Sequence, residues 1–260
     1  MRLSPRCYAV TGLAYSAPWY VNAGFIVGDH TTLILDTGGN AAAGATVHGY
    51  ASSIRPSNTL RVLNLEKHFD HIGGNTVFRA HGIEIWGHPG TVRTADEFRS
   101  EIAEYNDAIP NPIRRDVGEA QAFFAGTQLT NPSRPISVDT EWDLGGVAVS
   151  ILLTPGHTPT NLSVWVPSER VLYTADCLIR TYTPNLEAGG PEDWKQWLAS
   201  LDRLEPLNAC AIVTGHGHPT LDAGIPAIFS EVRRVLMEAI HHGAAPTLRP
   251  RSASDCEECL

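Results

Sequence analysis

One twelve-residue segment constrains the fold more than any other part of the chain: Asn64-Leu65-Glu66-Lys67-His68-Phe69-Asp70-His71-Ile72-Gly73-Gly74-Asn75. It continues a short apolar run at 61–65 that reads as a strand. Glu66, His68, Asp70 and His71 are four potential metal ligands within six residues. No single face of a regular helix or strand presents all four, because their spacing fits neither period. A turn ending in the Gly-Gly pair does, and it points several side chains into one space. Imidazole nitrogen and carboxylate oxygen are donors that Zn, Fe and Mn accept.

Such a turn needs a sheet to carry it. Residues 20–28 and 31–35 are rich in β-branched and aromatic residues and meet at Gly28-Asp29-His30, a hairpin signal. The second run stops abruptly at Asp36-Thr37-Gly38-Gly39. An Ala-rich helix is expected over 41–54, a short helix over 76–80 and a strand over 83–86. A second strand-rich block follows at 141–144, 147–154, 162–166 and 170–175. It ends in an amphipathic helix at 192–204, a strand at 210–214 and a helix at 225–241. Strands and helices in this alternation predict an α/β fold with helices packed outside sheets. Residues 91–108 look helical and charged, and Pro110, Pro112, Pro132 and Pro135 mark an irregular stretch after them. The expected organisation is one catalytic domain over 1–242, with 91–135 inserted as a lid, and a polar tail over 243–260.

Three further segments repeat the placement of a ligand at a strand end. They are Thr154-Pro155-Gly156-His157, Tyr173-Thr174-Ala175-Asp176 and Val213-Thr214-Gly215-His216. In a layered α/β protein such ends converge on one edge, where these folds bind ligands.

The order of these motifs resembles the metallo-β-lactamase superfamily, whose signature is His-x-His-x-Asp-His, then Gly-His, a lone Asp and a final Gly-His. The resemblance runs from Asp36 to His216. It implies a four-layer αβ/βα sandwich with the metal site along one edge of the paired sheets. It also implies His68 and His157 in a first metal site, Asp70, His71 and His216 in a second, and Asp176 bridging. The Asp36-Thr37-Gly38 turn would support the site without binding metal. One position departs: Glu66 stands where the family carries its first histidine. It is open to ligate the first metal through oxygen, to point away, or to leave that site weak.

The activity implied is hydrolysis of a small ester, lactone, thioester or amide by water activated on one or two Zn2+ ions. Mn2+ or Fe2+ becomes an option at the first site if Glu66 binds there. Asp70 is the expected proton acceptor and donor. Two other classes are open. Glu66, His68 and His157 form a two-histidine, one-carboxylate set that suits a non-haem iron oxygenase. Loss of the first histidine is also compatible with a degenerate binding protein.

A formal charge of -9 repels polyanions, so a small molecule rather than nucleic acid is the expected partner. No run approaches the ~18 apolar residues of a membrane span, and the cysteines at 7, 177, 210, 256 and 259 form no disulfide framework. A reducing cytoplasm is the simpler reading. His218 competes with His216 as the last ligand, and the glycines flanking His216 favour it. His88 lies at a strand end near the expected site, whereas His30, His48, His81, His241 and His242 read as packed or surface residues. The Cys256–Cys259 pair is read as incidental.

Overall fold

The computed structural model of the protein describes residues 1–13, 20–108, 124–180, 186 and 189–245. Two six-stranded sheets face each other. The first runs β1 (Cys7–Val10), β2 (Ala23–Val27), β3 (Thr31–Leu35), β4 (Thr59–Asn64), β5 (Glu84–Gly87) and β6 (Arg134–Pro135) in spatial order. The second runs from β7 (Thr140–Asp143) through β8 (Ala148–Leu153), β9 (Leu162–Val166), β10 (Val171–Ala175) and β11 (Ala211–Thr214) to β12 (Thr220–Leu221).

Side chains alternate across a strand, so each buried strand feeds two layers. Leu33, Leu35 and Leu63 meet Val149, Ile151, Val164 and Tyr173 between the sheets. Ile34, Val62 and Ile85 point the other way, against Val47 and Ala51 of α1 (Ala41–Ile54) and Phe78 of a short helix. That arrangement makes the four-layer sandwich implied by the motif order. The last two helices supply the fourth layer on the outer face of the second sheet, through Trp194, Trp197, Val232 and Leu236.

Helix α1 has the bounds expected from its sequence, and the Asn40 side chain caps it by accepting from the Ala43 amide at 2.7 Å. The ligand-rich segment is more regular than a bare turn. After an irregular stretch at 65–68 it forms the one-turn helix α2 (Phe69–Ile72), then α3 (Asn75–Ala80). Gly73 and Gly74 allow this. A Cβ on either would collide with the backbone of Gly39 or Thr37, in the loop after β3.

The helix expected over 91–108 is shorter than its sequence suggests. A 3-10 turn takes Pro89–Thr91, and α4 (Ala95–Ala108) begins only after Thr94. Thr94 and Glu97 form a reciprocal cap: the Glu97 carboxylate accepts from the Thr94 amide at 2.7 Å, and Thr94 Oγ1 accepts from the Glu97 amide at 3.2 Å. Phe98 and Ile102 of α4 pack on Phe69 and Ile72 of α2, beside Phe124 and Leu129. The middle of the expected 91–135 insertion and the Cys256–Cys259 pair lie outside the described residues. The last two helices are α5 (Pro191–Leu204) and α6 (Ile225–His242). Among the described residues no helix is long and apolar enough to cross a membrane.

Strand direction decides where the site lies. β3, β4 and β5 are mutually parallel, so Asp36, the 65–71 segment and His88 leave the same edge of the first sheet. In the second sheet β10 and β11 are parallel, and β8 shares their direction through two antiparallel steps across β9. His157, Asp176 and His216 therefore leave one edge as well. The two edges are joined directly: the Asn22 amide donates to the Gly215 carbonyl at 2.7 Å, and the Leu162 amide to Leu65 at 2.7 Å.

Candidate metal centre

Asp176 stands at the middle of the cluster. One of its oxygens lies 3.5 Å from His157 Nε2, and the other lies 3.4 Å from His71 Nε2 and 3.5 Å from His216 Nε2. Ala175, just before it, has φ 44°, in the left-handed region that side chains with a Cβ disfavour. That turn aims Asp176 along the sheet edge. Gly215 makes room for it, since a Cβ there would overlap the Asp176 carboxylate.

Two groups of three donors share this carboxylate's neighbourhood. His68, His157 and Asp176 form one, and Asp70, His71 and His216 the other, each with ligand atoms within 4.8 Å of one another. His68 Nδ1 lies 3.2 Å from His157 Nε2, and His216 Nε2 lies 3.5 Å from an Asp70 oxygen. His216 is buried and its Nδ1 donates to the Tyr20 carbonyl at 3.0 Å, which turns Nε2 inward. His218, the competing histidine, is exposed to solvent.

His71 is oriented in the same way. Its Nδ1 faces an Asp36 oxygen at 2.8 Å, while the other Asp36 oxygen accepts the Leu65 amide at 2.7 Å. Asp36 adopts φ 58°, a strained conformation for a non-glycine residue, and so places its carboxylate beneath the ligand turn. Carboxylate–histidine pairs of this kind fix the ring and leave the opposite nitrogen for a metal. That nitrogen, His71 Nε2, and Asp176 Oδ1 are both buried, and neither makes a hydrogen bond of good geometry. Uncompensated buried polar atoms in N- and O-donor groups fit a bound cation.

Charge is distributed unequally between the groups. Burial pushes the pKa of His71 down, but Asp176, Asp36 and Asp70 outweigh it and hold the ring well above the usual histidine range. His216 is likewise raised: burial acts against it, and Asp176 reverses the sign. Asp176 is raised by burial and brought well below the usual carboxylate range by His216 and His71. His68 goes the other way, lowered first by burial and then by His157.

Glu66 is fully buried beside the first group, but it is not one of the three donors closest together. Thr158 Oγ1 donates to its two oxygens at 2.9 and 2.7 Å, and the Lys67 amide donates to Oε1 at 2.6 Å. Oε1 lies 3.7 Å from His68 Nδ1. Burial raises the Glu66 pKa against the pull of His157.

The family model of the metallo-beta-lactamase superfamily matches residues 17–216. The chain belongs to that superfamily. The "Beta-lactamase-like protein 2 homolog" of Caenorhabditis elegans is 35% identical over 152 residues, which are 58% of this chain and 44% of the relative. This chain thus spans less than half of that relative's length. The "Hydroxyacylglutathione hydrolase GloC" of Haemophilus influenzae is 28% identical over 171 residues, 62% of this chain and 70% of that one. In three dimensions the metallo-beta-lactamase from Pontibacter korlensis superposes with a TM-score of 0.64, at 16% identity, covering 91% of this chain and 97% of the other.

Within this superfamily fold, every ligand candidate named from the sequence reaches the same edge. Residues that the sequence reading missed surround them. Thr158 holds Glu66, Trp197 of α5 packs edge-on against His157 with ring centroids 6.0 Å apart, and Arg93 and Glu101 close over the 67–69 backbone. Their only sequence signal is proximity to a ligand or a place on a charged helix. His88 accepts from the Gly90 amide at 3.1 Å and caps the 3-10 turn. His48 and His81, read as packed or surface residues, stack on each other with centroids 4.3 Å apart.

Proposed function

We propose that the protein is a metal-dependent hydrolase that cleaves a small ester, lactone, thioester or amide. The observation that carries this reading is the pair of three-donor groups flanking Asp176 at one sheet edge. His68, His157 and Asp176 would hold one ion, and Asp70, His71 and His216 a second, with Asp176 serving both. Zinc suits the nitrogen-rich donor set. If the Glu66 oxygen also joins the first ion, Mn2+ or Fe2+ becomes competitive there. Bound ions would lower the pKa of a water molecule and polarise the carbonyl of the substrate.

The protein's own groups then have defined tasks. Asp36 and the Tyr20 carbonyl orient His71 and His216 through their outer ring nitrogens. Asp70, whose carboxylate lies 3.5 Å from His216 Nε2, is suited to take the proton of the attacking water and pass it to the leaving group. The described residues 91–108, which pack on the ligand turn, would border the substrate and contribute to its selectivity. A small-molecule substrate fits the -9 charge and the hydrolase relatives.

The iron-oxygenase reading would require Glu66 as a third ligand with His68 and His157. Its carboxylate is already engaged by Thr158 and the Lys67 amide, so hydrolysis is better supported. The test is metal quantification on protein purified without added metal, followed by assays on ester, lactone, thioester and β-lactam panels. Zinc content with chelator-sensitive hydrolysis is expected. Iron content with O2 consumption, or ligand binding without any metal, would replace the proposal.

A further inference from the structure

Arg93 and Glu101, in the described part of the insertion, make polar contacts with the ligand-rich turn. Glu101 on α4 is mostly buried, and its Oε2 pairs with Arg93 Nη1 at 2.7 Å. The carboxylate also takes the amide hydrogen of Phe69, the first residue of α2. Arg93 in turn donates to the Lys67 carbonyl at 3.1 Å. Residue 93 is itself fixed, because its amide and carbonyl both bond the Asn131 side chain, at 2.9 and 2.8 Å. The two side chains therefore grip the backbone on both sides of His68.

The His68 ring lies between His157 and Glu101. Its Nδ1 faces His157 at 3.2 Å, and its Nε2 faces Glu101 Oε1 at 3.9 Å. A carboxylate behind the outer nitrogen favours a hydrogen there and leaves the inner nitrogen as the donor to a metal. Asp36 stands in that relation to His71 in the other group, but it comes from the sheet. Glu101 comes from the insertion, and the apolar contact of Phe98 and Ile102 with Phe69 and Ile72 holds α4 in place.

We propose that Arg93 and Glu101 are positioning residues for His68, so that α4 sets the geometry of the first ligand group. The proposal rests on the reading of His68 as a metal ligand. It predicts that the histidines on the two sides of Asp176 are held separately, His71 by the sheet and His68 by the insertion.

The experiment uses the full chain and zinc titration against a competing chelator, together with 15N spectra of the histidine rings in the zinc-loaded protein. Glu101→Ala is expected to weaken one zinc equivalent by about 10–100-fold and leave the other unchanged. It should also remove the Nε2–H signature of His68. Glu101→Gln keeps the size and an acceptor oxygen but loses the charge, so it should fall between Glu101→Ala and wild type. It carries the test if Glu101→Ala does not fold. Unchanged zinc affinity and an unchanged His68 ring in Glu101→Gln and Glu101→Ala would overturn the clamp. His68→Ala separates the two readings: it should lose the same zinc equivalent, and if it keeps both, the ligand assignment itself has failed.

Discussion

The two donor groups are three residues each and share a neighbourhood, yet they are built by different means. In the group of Asp70, His71 and His216, both rings are held through their outer nitrogens: His71 against Asp36, and His216 against the Tyr20 carbonyl. His68 and His157 lean on each other, on α5 and on the insertion. The charges follow this division. Carboxylates surround the second group and raise its histidines, while His68 in the first is held low. Burial acts on both in the same direction, so the number of nearby carboxylates decides the sign.

The largest effect should come from removing what the groups have in common. Asp176→Ala is expected to empty both groups and to reduce hydrolysis by about 1,000-fold or more, since ion-assisted stabilisation is worth several kcal/mol. Zinc content and turnover should fall together. Wild-type turnover in this variant would remove Asp176 from the centre.

A smaller loss, confined to one side, should follow from His216→Ala. It should cost one zinc equivalent and more activity than the ~100-fold typical of outer-shell changes. His218→Ala should cost almost nothing, because that side chain is in solvent. If His218→Ala is the inactive variant, the last ligand is misassigned.

Proton release sharpens the contrast further. In the metal-free protein the pKa values of His71 and His216 are raised, so their stabilisation is complete below the unfolded histidine value near 6.5. It is lost as pH rises through the folded values. Zinc requires both rings deprotonated, whereas His68 is already neutral near pH 7. Calorimetry in buffers of different ionisation enthalpy should therefore show more protons released per zinc in His68→Ala, where the second group binds. Fewer should be released in His216→Ala, where only the first remains. Equal release would erase the difference between the groups.

The smallest effect concerns Glu66. Glu66→His should tighten zinc at the first group by about tenfold, ~1.4 kcal/mol, by removing a negative charge and adding a nitrogen donor. It also takes the acceptor away from Thr158 and the Lys67 amide, which costs about 1–3 kcal/mol of stability. Zinc stoichiometry and thermal melting measure the two separately. A variant with unaltered zinc binding and a lowered melting point would make Glu66 a purely structural carboxylate.

Much of this was legible in the sequence, because metal ligands must cluster and strand ends must converge. His68, Asp70, His71, His157, Asp176 and His216 could be named from short motifs, and helix α1 has the bounds that its sequence predicts. The start of α4 was also written locally, in Thr94 and Glu97, although the helix expected from the sequence extends back to residue 91. Nothing local distinguished Glu101 from Glu104 on the same helix. Only Glu101 faces the ligand turn, and that depends on how α4 rotates to bury Phe98 and Ile102.

The sequence by itself determined the superfamily, the layered fold and the seven candidate ligands, Glu66 among them, because these depend on residue type, order and strand-end position. Tertiary structure alone decided which ring nitrogen faces inward, what supports each ring, and what Glu66 touches. Those outcomes turn on separations of about 3 Å between residues up to 196 positions apart, as for His216 and Tyr20. Contacts of that kind are set by the packing of whole sheets and helices, to which no short stretch of sequence has access.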